Sequence, residues 1–254
     1  MSDLHVDFPG ADPVPAEVAG CDLVTVAGDT CQGIVKAVET LRRAFPETEV
    51  AMVAGNHEYY GHVLAEELEA GRERARSLGV HFLENDVVSF GAIVLIGATM
   101  WTDYELFGEG LRVAAMRIAA DTMRDHKRIK WRKQPWMRFR PEEARALHLK
   151  SRRFVETQLA ESRTAGRTAV VLTHHGSSIE AVAPRNQRSI VSAAYASELL
   201  PLVDRFQPAC WISGHTHHAM TFRRGACLMI SNPRGYPGEA TGFDSGLVIE
   251  VGKG

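Results

Sequence analysis

Val50-Ala51-Met52-Val53-Ala54-Gly55-Asn56-His57-Glu58 is an apolar run that stops at a glycine and hands over to three polar side chains. Five apolar residues bounded by a turn signal read as a buried strand. The same grammar recurs along the chain. Residues 21–27 end at Gly28-Asp29, residues 168–173 deliver His174-His175, and residues 209–213 deliver Gly214-His215-Thr216-His217. In α/β folds the carboxyl ends of strands converge on one crevice, so loops far apart in sequence meet there. With Asp3-Leu4-His5 added, these loops supply carboxylates, imidazoles and one amide, and almost no thiolate. Such nitrogen and oxygen donors suit Zn, Mn and Fe, and there are enough of them for two ions.

Between these strands the apolar spacing turns helical. Ile34, Val38, Leu41 and Phe45 mark a helix over 32–45, a second spans 63–78 with Gly79 as its stop, and Pro141 opens a long one over 142–161. A hairpin pairs 87–90 with 93–97 around Gly91, residues 106–120 read as helix, and further strands fall at 80–83, 220–223, 227–231 and 245–251. Residues 121–140 interrupt the alternation. They hold eight Lys or Arg against two Asp, a balance of +6 within a chain of net charge −2, so the remainder carries −8. A concentrated basic patch attracts phosphorylated ligands, and long insertions in compact domains are usually functional or disordered.

A chain of 254 residues with 45% hydrophobic content suffices for one large core. Its apolar runs are too short to span a bilayer, and acidic residues stand where a signal peptide needs positive charge. Cys21, Cys31, Cys210 and Cys227 form no C-x-x-C pair and read as reduced thiols. The expectation is a soluble cytoplasmic protein with no membrane partner.

The order D-x-H, G-D, G-N-H-E, H and G-H-x-H over residues 3–217 resembles the calcineurin-like metallophosphoesterase superfamily. Trp101-Thr102-Asp103-Tyr104 and Asn232-Pro233-Arg234-Gly235-Tyr236-Pro237 further resemble a group of small bacterial single-domain members. The resemblance implies an α/β fold, two mixed β-sheets packed as a sandwich flanked by helices, and the basic interruption is read as part of a cap insertion at about 101–150. It implies two divalent or mixed-valence metal ions (Mn, Fe or Zn), one held by Asp3, His5 and His217, the other by Asn56, His174 and His215, with Asp29 bridging. A carboxylate bridge sets such ions about 3.5 Å apart and lets them share a hydroxide, the nucleophile. His57 would donate toward the phosphate or leaving oxygen, with Glu58 orienting its ring.

Family members place an apolar strand before D-x-H, whereas only Met1 and Ser2 stand there here. Backbone groups of the neighbouring strands are therefore expected to need another partner.

Substrate contacts are read from position alone. Trp101 and Tyr104 follow a strand end, His126 and Arg128 lie in the basic segment, and Arg234 sits in a Pro-Arg-Gly turn that could reach phosphate or cap the sheet. Trp131 and Trp136 could stack on a base or anchor the insertion. The implied activity is a phosphodiesterase or phosphomonoesterase acting on a small phosphorylated or nucleotide-like substrate, with nucleic acid the less favoured partner. Ser/Thr protein phosphatases and dinucleoside polyphosphatases carry G-D-x-x-D-R-G, and Gly28-Asp29-Thr30-Cys31-Gln32-Gly33 lacks the Asp-Arg pair; Ala54 stands where those enzymes place Arg. A non-catalytic metal-binding interaction scaffold would show decayed ligand positions, and none has decayed.

Overall fold

The structure, a computed structural model, describes residues 1–15 and 20–252. Three parallel strands, β1 (Leu23–Ala27), β2 (Glu49–Val53) and β3 (His81–Phe82), form one sheet. A second sheet runs edge to edge through β10 (Met220–Arg224), β11 (Cys227–Ser231), β9 (Cys210–Ser213), β8 (Thr168–Thr173), β5 (Ile93–Ala98) and β4 (Asp86–Phe90). Its four central strands are parallel and its two edge strands antiparallel.

Strand side chains alternate between faces, and that alternation builds three apolar layers. Ala51 and Val53 of β2 meet Val170 and Leu172 of β8 between the sheets. Val50 and Met52 point outward against Ile34, Val38 and Leu41 of α1 (Ile34–Ala44) and Ala75 of α2 (Leu64–Leu78). On the opposite side, Ala169 and Val171 pack on Val155 and Leu159 of α5 (Pro141–Thr164) and Leu202 of α6 (Leu200–Phe206). The result is the helix-flanked sandwich of two sheets. Among the described residues no helix is long and apolar enough to cross a membrane.

Three expectations change. Residues 245–251 form no strand: Ile249 and Val251 pack against the inter-sheet layer, but Leu247 and Val248 stay 42% and 49% exposed and no ladder forms. The helix expected over 106–120 starts late, because Gly108 (φ 91°) precedes a 3₁₀ turn at Glu109–Leu111, with Gly110 at its centre, before α3 (Arg112–Thr122). Residues 121–140 hold structure of their own, namely α4 (Asp125–Arg128) and a hairpin of β6 (Lys130–Arg132) and β7 (Met137–Arg138). Phe139 and Trp131 anchor it on the α1/α2 layer.

At the N-terminus, Met1 to Asp3 bond to both flanks. Ala27 N–H donates to Met1 O at 2.9 Å and Asp3 N–H to Gly28 O at 2.9 Å, while Ser2 N–H reaches Asn232 O at 3.2 Å and Arg234 N–H reaches Ser2 O at 3.0 Å. Those backbone groups beside Asp3 thus find partners.

Candidate metal centre

The ends of β1, β2, β8 and β9 bring their polar loops to one edge of the sandwich. Close approach is needed there: a β-carbon on Gly28 (φ 82°) would lie 2.6 Å from the Gly55 backbone nitrogen, and one on Gly55 would run into the Asp29 carboxylate. Of the seven residues read as ligands, five adopt left-handed backbone: Asp3 (φ 52°), His5 (43°), Asp29 (56°), His215 (69°) and His217 (49°). Each such conformation costs about 1–3 kcal/mol and persists only where surroundings over-determine it.

Three overlapping groups of donor atoms could hold a metal ion: Asp3, His5 and His217; His5, Asp29 and His57; and Asp29, His174 and His215. His5 Nε2 lies 3.1 Å from His217 Nε2, which is 3.5 Å from Asp3 Oδ1. Asp29 faces both ends, with Oδ2 3.8 Å from His5 Nε2 and Oδ1 3.6 Å from His174 Nε2.

Hydrogen bonding around these donors fixes which atoms they present. Asn56 Nδ2 donates to Asp125 Oδ1 at 2.7 Å and to the Tyr60 hydroxyl at 2.9 Å, leaving Asn56 Oδ1 turned to His174 Nε2 at 3.0 Å. His174 Nδ1 donates to Ala27 O at 2.7 Å, because a carbonyl oxygen can only accept. Burial lowers the His174 pKa, so its Nε2 carries a lone pair. Two lone pairs therefore face each other with no hydrogen between them, the arrangement a cation resolves.

Burial drives the other shifts. It pushes His5 down to about 4, His57 down to about 2 and His215 well below the usual imidazole range. Burial, with Glu58 and Asp3 nearby, raises Asp29 well above the carboxylate range. His217 differs: burial opposes its charge, but Asp3 and Glu239 lift it to about 9. Glu239 Oε2 accepts from His217 Nδ1 at 2.5 Å and fixes that ring.

Glu58 does not orient His57. Its carboxylate instead accepts backbone N–H groups from Asp29 (3.0 Å), Thr30 (2.7 Å) and Gly55 (2.8 Å), clamping two strand-end loops together. The 3₁₀ turn His57–Tyr59 sends the two adjacent side chains apart. Since each buried N–H left without an acceptor costs about 1–3 kcal/mol, Glu58→Ala is expected to lose about 3 kcal/mol or more in denaturant unfolding. An unchanged unfolding midpoint would refute the clamp. His57 Nε2 meets the Tyr236 hydroxyl at 3.2 Å.

The edge opens into a cleft of about 810 Å³ lined by Asp29, Asn56, His57, His215 and His217. The five residues expected to touch substrate do not line it. Trp101 and Tyr104 are 3% exposed; Trp101 packs on Phe139 and His175, and Tyr104 shares a 3.2 Å hydrogen bond with His126 Nε2. Arg128 stacks over Tyr60 and donates to Gln32 Oε1 at 2.8 Å. Arg234 donates to Pro13 O and Leu4 O, capping the N-terminal segment. Large aromatic surface is more stable inside than on a rim, and both arginines are held by protein acceptors. The basic segment reaches the cleft only through Thr122, Met123 and Arg124, and the rest of the far wall comes from residues 182–195. Arg185, Tyr195 and Glu239 had no signal in the sequence, whereas Arg124 lay in the flagged basic segment and Tyr236 inside a quoted motif.

The sequence profile of the calcineurin-like phosphoesterase family matches residues 1–219, and the chain belongs to that family. No curated protein matches the sequence. Among solved structures, the fold is similar to a phosphopantetheinyl hydrolase from Mycobacterium tuberculosis, with a TM-score of 0.70, 18% identity, and coverage of 93% of this chain and 88% of that one. It is also similar to a dimetal phosphatase from Danio rerio, with a TM-score of 0.50, 14% identity, and coverage of 84% and 72%. At these identities the likeness is one of fold.

Proposed function

We propose that the chain is a dinuclear metal-dependent hydrolase of small phosphoric esters. Asp3, His5 and His217 would hold one cation, Asn56, His174 and His215 the other, and Asp29 would reach both. The observation that carries this reading is the pair of opposed lone pairs on Asn56 Oδ1 and His174 Nε2, 3.0 Å apart, beside two convergent carboxylates. Bound there, Mn, Fe or Zn would polarise phosphate oxygens and acidify a water.

The chain's own residues do the remaining work. Asp125 and Tyr60 hold the Asn56 amide so that its oxygen, not its nitrogen, faces His174. His57, on the cleft wall beside Tyr236 and kept neutral by burial, is placed to donate an Nε2–H hydrogen bond toward the phosphate or leaving oxygen as charge builds there.

A panel of metal-reconstituted protein against phosphomonoesters, phosphodiesters, cyclic nucleotides, oligonucleotides and a phosphopantetheinyl ester tests this; the last is included because of the structural neighbour's name. Chelator-sensitive hydrolysis of a small ester, faster than that of oligonucleotides, is the expected result. Absence of turnover with Mn, Fe and Zn alike would sink the proposal.

A further inference from the structure

The cleft holds far more room than one phosphoryl group fills, and its far wall is built by two segments outside the strand-end loops: the α3–α4 junction and residues 182–195. Each segment contributes one exposed arginine, Arg124 and Arg185. Neither guanidinium donates a hydrogen bond or joins an ion pair among the described residues. Elsewhere on the surface Arg112, Arg205 and Arg224 are each tied to a carboxylate at 2.6–2.7 Å. Glu239, a carboxylate on the cleft rim, is committed to His217 Nδ1 and the Tyr236 N–H. No acidic side chain of the far wall neutralises the two arginines, and that wall also presents the apolar side chains of Met123, Val182 and Val191.

A free surface arginine is ordinary. Two on separate segments that line the cleft shared with the metal centre are placed to grip one ligand. Resting on the phosphoesterase reading, we propose that Arg124 and Arg185 form a second anion subsite. The preferred substrate then carries, beyond its scissile phosphate, a second phosphate or carboxylate joined through a partly apolar spacer. Guanidinium groups suit either anion because their paired donors match two oxygens.

The test reads binding rather than turnover, so it stands apart from failure of the catalytic reading. Phenylphosphonate, a butane-1,4-bisphosphonate and a phosphonobutyl carboxylate are titrated calorimetrically into metal-loaded wild type and R124Q/R185Q. Wild type is expected to bind at least one of the two-headed probes about tenfold or more tighter than phenylphosphonate, the scale of one charge-assisted contact. The variant, with unchanged melting temperature, should lose that preference while its phenylphosphonate affinity holds. Which two-headed probe gains separates phosphate from carboxylate. A wild type without preference, a variant that keeps it, or an equal loss for all three probes would overturn the subsite.

Discussion

Asp29→Ala is expected to remove bound metal from both ends of the centre and to abolish turnover, whereas Asp3→Ala should empty only the His5/His217 end. The Asp29 carboxylate, 2% exposed, faces His5 with one oxygen and His174 with the other, while Asp3 pairs with His217. Metal that binds only folded protein stabilises it by about 2.7 kcal/mol at a hundredfold excess over Kd. Wild-type protein should therefore melt higher with Mn than with chelator, and Asp29→Ala should melt alike in both. The variant's metal-free fold is expected to survive: burial, with Glu58 and Asp3 beside it, already disfavours the Asp29 charge, and the lost bond is the His57 N–H at 2.9 Å. Elemental analysis after gel filtration checks the metal directly. Retention of wild-type metal content and of the melting shift by Asp29→Ala would place the bridge elsewhere.

The strands that form the site were legible because apolar runs ending in Gly-Asp, Gly-Asn-His or Gly-His leave few options, but Val50 to Val53 is apolar on both faces, so only the structure shows that Ala51 and Val53 turn toward the other sheet. That Asp29, Asn56, His174, His215 and His217 gather at one edge follows from strand polarity, whereas Asp3 and His5 follow no strand and were placed by the family resemblance. What surrounds them was not legible. Glu58 adjoins His57 in sequence, and neighbours were read as partners, but a 3₁₀ turn separates their side chains and three backbone N–H groups, invisible in a sequence, claim the carboxylate.

Asp125 illustrates the same limit. It lies in a run of charged residues, Asp125-His126-Lys127-Arg128, that reads as a solvated face, yet it is 4% exposed and holds Asn56 and Tyr60. Composition flagged the segment as basic without telling which guanidiniums find protein acceptors. Arg128 does and Arg124 does not. Likewise Trp101 follows a strand end as a pocket residue would, but its indole gains more from Phe139 than from water.

His57→Ala tests whether the imidazole acts on substrate or on metal, since two placements compete. His57 joins His5 and Asp29 in one of the groups that could hold an ion, with Nε2 3.9 Å from Asp29 Oδ2. It also meets the Tyr236 hydroxyl at 3.2 Å and lines the cleft. Its Nδ1 is buried without a partner, as are His5 Nδ1 and His215 Nε2, so the second ring nitrogen does not separate the two placements. Its Nε2 lies closer to the Tyr236 hydroxyl, at 3.2 Å, than to Asp29 Oδ2, at 3.9 Å, which favours the cleft-facing placement. Turnover in His57→Ala is therefore expected to fall by about a hundredfold or more, the contribution of a positioned hydrogen-bond donor, with metal content and metal-dependent melting retained. Tyr236→Phe should lower kcat more than it raises KM, because its hydroxyl touches His57. Metal loss in His57→Ala equal to that in Asp29→Ala would move His57 into the ligand set and pass the hydrogen-bond-donor role to Tyr236.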